Sequence, residues 1–393
     1  MSERRGEAAL APDAAALADE ARSWRSAYVH LPFCRRRCPY CDFAVVAADE
    51  VGDTIHDTYL GAVLAEIEME AEWGPLHAVN FGGGTPSQTK PVWLGRVLSA
   101  LEHRFGFAPG VEISLEANPE DWSAELAARL VEVGFTRVSL GVQSFDQDVL
   151  GFLGRIHTPE QARAAVSAAV ASEFASVGVD LIFGSPGESI DSWLSSVTKA
   201  VGLGIHHLST YALTVEPGTA LSRSVRAGAA GPEADDQADK YEIAAEVARG
   251  AGLVRYEVSN FARPGHVCRY NLGTWGQGEY LAFGLGANDH RDGLRSRGYR
   301  KLERYLEAVA AGERPHASSE RLGAWGREQE RLVIGLRRAA GALLGDGGEA
   351  FVSDPEGKRL LDAGVVSVRA GRLVVDKPLL TDAVARCVLS LSP

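Results

Sequence analysis

Three of the chain's five cysteines stand close together as Cys34, Cys38 and Cys41, spaced C-x3-C-x2-C. They follow the strand-like run Tyr28-Val29-His30-Leu31, which puts the thiols on a loop at a strand end. So short a loop gathers three soft thiolate donors, a set suited to zinc or an iron–sulfur centre. A structural zinc site usually takes four nitrogen or sulfur ligands, and neither Cys268 nor Cys387 sits in a second paired knuckle. Iron–sulfur clusters, too, are usually held by four thiolates. Bridging sulfides bind such a cluster together, however, so a [4Fe–4S] centre can stand on three thiolates and leave one iron open to a chelating small molecule. Zinc remains the alternative.

From residue 27 onward, short β-rich runs alternate with amphipathic helical stretches, the pattern of βα units and a parallel sheet. Strands are expected at 27–31, 77–81, 111–116, 137–141, 176–183 and 206–211. Between the first two, Ile55, Tyr59, Val63 and Ile67 recur every four residues and mark the buried face of a helix. Thr158 and Gln161 form a capping box around Pro159. Ser189 caps a helix carrying Trp193, Leu194, Val197 and Val201, and Gly202 can end it. Six such units make an α/β fold, a partial (β/α)6 barrel. After it come a helix around 233–250, a strand at 254–258 and a glycine-rich passage from Asn271 to Gly293. Residues 318–393 read as a small winged-helix-like α+β domain: helices near 320–340, 353–363 and 379–390, with a hairpin turning at Ala370-Gly371. Residues 1–25 read as a flexible N-terminal tail or loose helix, and 26–300 as the barrel and its extension.

Composition limits the function classes. A net charge of −12 argues against a nonspecific nucleic-acid binder, which needs a basic footprint. An odd number of cysteines with clustered thiols suits a reducing, cytoplasmic setting. The chain has no apolar run long enough to cross a bilayer, which leaves only peripheral membrane contact open.

Polar residues of unusual character recur at the C-terminal ends of the expected strands, where βα barrels place their sites. Gly82, Gly83 and Gly84 let backbone groups approach a ligand, and Thr85 adds a hydroxyl; a tight βα turn is the plainer alternative. No Walker Gly-Lys-Ser/Thr follows, so this is not a phosphate loop. Glu116 continues the polar face of the strand Val111 to Leu115 and can accept from hydroxyls or an ammonium. Gln143 can donate and accept, Arg155 can fork onto a carboxylate, and Asp180 interrupts the apolar run Val177 to Phe183, where an unpaired charge is costly. Arg35, Arg36 and Arg37 make a basic knot in an acidic chain. They are either solvated or a steering patch for an acidic, flavodoxin-like reductant.

The cysteine spacing at the first strand's mouth resembles the radical S-adenosylmethionine (SAM) superfamily. Tyr28 to Cys34, Phe81 to Pro86 and Gly141 to Phe145 are similar to the oxygen-independent coproporphyrinogen III oxidase family. Cys41-Asp42-Phe43 resembles its heme chaperone branch, because the porphyrinogen dehydrogenases carry a fourth cysteine where Phe43 stands. The resemblance implies a [4Fe–4S] cluster on Cys34, Cys38 and Cys41. It implies SAM contacts at Tyr28, Tyr40, Gly83, Gly84, Thr85, Glu116, Gln143, Arg155, Asp180, Ala212 and Ala287. It also implies heme as cargo and a heme acceptor protein as partner. Oxidative decarboxylation of coproporphyrinogen III, or another radical SAM reaction of porphyrin metabolism, is the rival activity. The chaperone branch carries a histidine in a His-Asn-Leu-x-Tyr-Trp word; here the word starts at Tyr270, either a heme ligand through its phenolate, with Cys268 and His266 as alternatives, or a packed aromatic.

Overall fold

Along each of six strands, apolar residues alternate with polar ones, and this alternation decides which face of the sheet is covered. The strands are β1 (Arg25–Leu31), β2 (Leu76–Gly83), β3 (Phe107–Ala117), β4 (Arg137–Gln143), β5 (Ser176–Phe183) and β6 (His207–Ala212). All are parallel, and each is hydrogen-bonded to its neighbour in chain order. Val29, Phe81, Leu115, Leu140, Val179 and Leu208 point to one side and join a continuous core with the crossover helices. Asn80, Ser114, Glu116, Ser139, Asp180 and Ser209 point to the other side and line a polar interior. The computed structural model describes residues 12–47 and 54–393.

The first crossover helix, Thr54–Met69, buries Tyr59, Val63 and Ile67 on the expected stripe, with Ile55 packed at its edge. Each fully buried side chain of this kind contributes about 1.5–3 kcal/mol relative to exposure. Helix Pro159–Val170 has the expected capping box, with the Thr158 side chain accepting from Gln161 N–H. Ser189 caps helix Ile190–Gly202 through Ser192 N–H. Trp193 and Val197 take the buried face, one turn apart, and Leu194 is exposed.

β6 and β1 do not pair with each other among the described residues, so the six strands form an open arc, a partial barrel. Glu279–Phe283 extends the sheet parallel to β1, and Asn288–Arg291, Leu294–Gly298 and His316–Arg321 continue it antiparallel. At the other edge, Asn260–Ala262 pairs antiparallel with β6. The glycine-rich passage therefore contains strands, and the expected strand at 254–258 shortens to Val254–Arg255.

The C-terminal region has its own core, built on Leu332, Phe351, Leu373, Val384 and Val388. It combines helices Ala324–Gly335, Gly345–Ser353, Pro355–Asp362 and Thr381–Ser390 with a three-stranded sheet that contains the hairpin Val366–Arg369 and Arg372–Val375. The expected start at residue 318 is corrected, because residues 316–321 belong to the main sheet. Of the expected tail or loose helix, the helix is present and its looseness is corrected. Residues 1–11 lie outside the described residues, but Pro12–Glu20 is helical and Ala18, Ala21 and Trp24 are buried. That helix is tied to the C-terminal region: Arg338 donates to Ala18 O at 2.7 Å, and Arg372 donates to both Asp19 carboxylate oxygens at 2.8 and 3.0 Å.

Candidate functional site

The cysteine loop is closed at its base by backbone pairing. Phe33 and Cys34 pair with Val46 and Ala47, and Val46 N–H donates to Pro32 O at 2.8 Å. The turn after β2 presses against the same base, with Gly84 N–H on Leu31 O and Thr85 N–H on Phe33 O, both at 2.8 Å. A β-carbon at Gly84 would stand 2.5 Å from the Pro32 carbonyl carbon, a backbone atom that cannot step aside. Gly83 has φ +109° and leaves no room for a side chain beside the His30 ring. These glycines are therefore first a seat for the cysteine loop, whatever ligand they also meet.

His30 pins the far side of the loop. Its Nε2 lies 2.8 Å from Ala44 O, which can only accept, so the proton sits on Nε2. Nδ1 then accepts from the Tyr28 hydroxyl at 3.1 Å. Burial lowers the His30 pKa to about 4, which keeps the ring neutral and this tautomer in place. Tyr59 hydroxyl donates to His30 O at 2.6 Å and accepts from Leu285 N–H at 2.9 Å.

Cys34, Cys38 and Cys41 face a cavity of about 630 Å³ at the C-terminal ends of the strands. Tyr40, Gly83, Gly84, Thr85, Glu116, Gln143, Arg155, Asp180 and Ala212 line it as well. Twelve residues named from the sequence thus meet in one space. Burial pushes the Cys34 thiol up to about 11, opposed by a hydrogen bond from Thr85, and it raises Cys41 as well. The Thr85 hydroxyl lies 3.6 Å from the Cys34 sulfur and accepts from Asn118 Nδ2 at 2.9 Å. Asn118 Oδ1 accepts from Arg155 at 2.6 Å, and another Arg155 nitrogen lies 3.7 Å from the Cys38 sulfur. A relay of side chains thus joins a buried cation to two of the three thiols. Burial works against the charge on Arg155, but Tyr40, Cys38 and Glu120 around it raise its pKa overall.

Glu116 accepts from Gly83 N–H at 3.3 Å, and burial, then the charge of Asp180, lifts its pKa to about 7. Asp180 is raised by burial, against hydrogen bonds from Ser209 and Ser139, the latter at 2.8 Å. Two carboxyls thus face one interior, each lacking a cation of its own. Gln143 sits at φ +66°, an uncommon conformation for a residue with a side chain, where the β4–β5 register slips. The irregularity turns its amide toward the cavity.

Three residues expected at the site lie elsewhere. Tyr28 stacks on Tyr270, with ring centroids 6.1 Å apart, below the His30 layer. Ala287 is buried beside the turn from Gly284 and does not line the cavity. Tyr270 lies in helix Arg269–Trp275, whose first amides donate to Glu112 Oε1 near the N-terminal end of β3. That is the opposite end of the arc from the cysteines. Burial raises its phenol well above the usual value, and Tyr270 is not among the residues that line the cavity of the cysteines. Asn118 and Tyr211, which line the cavity, and His30, which pins its loop, were missed, although Asn118 follows Glu116 by two residues and His30 follows Tyr28 by two.

The donor set fits a cluster. All three thiols are free of disulfides and share one cavity. Among the described residues no three histidine, cysteine or acidic side chains converge on the space of one metal ion. A cluster places each sulfur on a different iron and requires no such convergence. Arg155 adds a buried cation with an unpartnered Nε beside a site that would carry thiolate charge.

The Radical SAM superfamily model matches residues 28–200. The chain is 40% identical over 368 residues to heme chaperone HemW of Mycobacterium tuberculosis, covering 92% of this chain and 94% of that protein. It is 32% identical over 324 residues to heme chaperone HemW of Bacillus subtilis, covering 81% of this chain and 84% of that protein. The solved coproporphyrinogen III oxidase (HemN) of Escherichia coli, a radical SAM enzyme, superposes with a TM-score of 0.80 at 22% identity, covering 99% of this chain and 94% of that one. At that identity the likeness is one of fold.

Proposed function

The chain belongs to the heme chaperone HemW family of the radical SAM superfamily, and from that premise we propose that it binds heme and passes it to an acceptor protein. The observation that carries this reading is the single cavity in which three free thiols meet the Gly83–Thr85 turn, Glu116, Gln143, Arg155 and Asp180. Cys34, Cys38 and Cys41 would hold the [4Fe–4S] cluster, with Thr85 and Arg155 placed to stabilise charge on their sulfurs. When bound, the cluster and SAM together supply one-electron reduction of a sulfonium. Glu116 and Asp180 are placed to accept from the ammonium or hydroxyls of SAM, and a cationic ligand group would return both carboxyls toward their ionised form. Gly83 and Gly84 keep the wall at backbone thickness, and Gln143 and Arg155 close the opposite side.

The oxidase reading rests on fold likeness alone, and the position two residues after the third cysteine carries Phe43, 61% exposed at the cavity rim. The reductant surface expected from Arg35, Arg36 and Arg37 shrinks on inspection. Arg35 pairs with Asp121 at 2.6 Å and Arg37 donates to Val45 O, which leaves Arg36 as the unengaged guanidinium of the three. No helix among the described residues is long and apolar enough to cross a membrane, and we place the work of this chaperone in the cytoplasm.

The test is anaerobic reconstitution with iron and sulfide, then titration with hemin followed by absorbance. A saturable Soret band at one heme per chain is expected. An intact cluster with no heme uptake overturns the reading.

A further inference from the structure

We infer that heme is taken up on the outer rim of the cofactor cavity, its ring against Phe43 and Ile156 and a propionate on Arg36. The inference rests on the chaperone reading and adds the place and the contacts.

A cavity of about 630 Å³ has the volume that one drug-sized ligand fills, so a macrocycle held together with SAM has to lie at the mouth. Two large apolar side chains stand in the open at that mouth, Phe43 at 61% and Ile156 at 46% exposure. Single exposed apolar residues are ordinary, but here two of them line one ligand cavity. Phe43 is presented by a fixed backbone. Its carbonyl accepts from Val45 N–H at 3.0 Å, and the preceding Asp42 carbonyl accepts from Arg300. The exposed ring is thus held out by structure on both sides.

Charge at the same rim complements the apolar pair. Arg35, Arg36 and Arg37 all border the cavity of a chain whose net charge is −12. Arg36 is exposed, and its side chain has no hydrogen-bond or ion-pair partner among the described residues. Asp42 on the same loop is answered by Arg300 at 3.4 Å, so it does not neutralise Arg36; Glu216 is a further carboxylate that lines the cavity. A flat apolar ring carrying carboxylates is the ligand chemistry that this combination recognises. An acidic protein surface would call for several free cations, and among the described residues the arginine knot offers one.

The test uses the full chain with its cluster reconstituted anaerobically, titrated with hemin and with hemin dimethyl ester, whose propionates carry no charge. Arg36→Glu should weaken hemin about tenfold or more, the loss expected for one charge-assisted contact, and leave the ester unaffected. The wild type should prefer hemin to the ester by a similar factor, a comparison that needs no variant to fold. Phe43→Ser should weaken both ligands. Iron content and cluster absorbance should match the wild type in both variants, since neither side chain holds the cluster. Hemin binding that is equal in the wild type, Arg36→Glu and Phe43→Ser would overturn the rim site and leave the chaperone reading standing. A wild type that takes up no hemin would overturn both.

Discussion

Replacing Glu66 with glutamine removes a proton switch buried behind the cysteine loop. Glu66 lies in helix Thr54–Met69 at 5% exposure, where its Oε2 accepts from Gly284 N–H at 2.8 Å and from the Tyr305 hydroxyl at 2.7 Å. Burial raises its pKa from 4.5 to about 7, although both hydrogen bonds pull it down. A carboxyl whose folded pKa lies above its unfolded value binds more protons when folded. Its contribution is therefore fully present below pH 4.5 and is lost as pH rises through about 7. A shift of this size corresponds to about 3 kcal/mol, since each pKa unit is ~1.4 kcal/mol. The glutamine carbonyl can occupy the place of Oε2 and accept the same two donors without titrating. Urea unfolding of wild type and Glu66→Gln, followed by tryptophan fluorescence from pH 4.5 to 8, should show the variant gaining about 3 kcal/mol on the wild type across that range. Carboxyls common to both chains cancel in the difference. A difference that stays constant with pH would refute the reasoning, because it would mean that Glu66 is ionised at every pH tested.

Gly84→Ala should cost about 1–3 kcal/mol or more and reduce iron uptake, because the new methyl meets the Pro32 backbone that seats the cysteine loop. Urea unfolding of the apoprotein and iron analysis after reconstitution check it, and wild-type values for both would contradict it. Arg155→Met leaves Asn118 Oδ1 and Gly141 O without their donor, at a cost of about 1–3 kcal/mol for each buried acceptor. The same variant should lose cluster faster in air, read as decay of the visible absorbance. Tyr270→Phe should leave the Soret spectrum and stoichiometry of bound heme unchanged, since its ring serves the stack on Tyr28. A shifted Soret band would restore tyrosine ligation.

Strand alternation made the six βα units legible, because β1–β6 bury one face under helices and line a polar interior with the other. Glu116 and Asp180 could be placed at the site for the same reason: each is a charged residue in a strand with no exposed face to put it on. Tyr28 and Ala287 were assigned by resemblance alone, without a periodicity that said which way either side chain points, and both fall outside the cavity. Strands Asn288–Arg291 and Leu294–Gly298 are short and rich in arginine and other polar residues, so their pairing is set by the neighbouring sheet edge rather than by propensity. The relay from Arg155 through Asn118 and Thr85 to Cys34 joins four separate segments, and no local pattern announces such a contact.

The central claim is that one cavity takes both a three-thiolate [4Fe–4S] cluster and SAM. Electron paramagnetic resonance of the anaerobically reconstituted, reduced protein, recorded with and without SAM, tests it most directly. The account predicts a reduced-cluster signal that changes shape when SAM is added, and that keeps its SAM-free shape in Glu116→Gln with Asp180→Asn at the same SAM concentration. A wild-type signal indifferent to SAM, or a reconstituted protein that retains zinc and no iron, would contradict it.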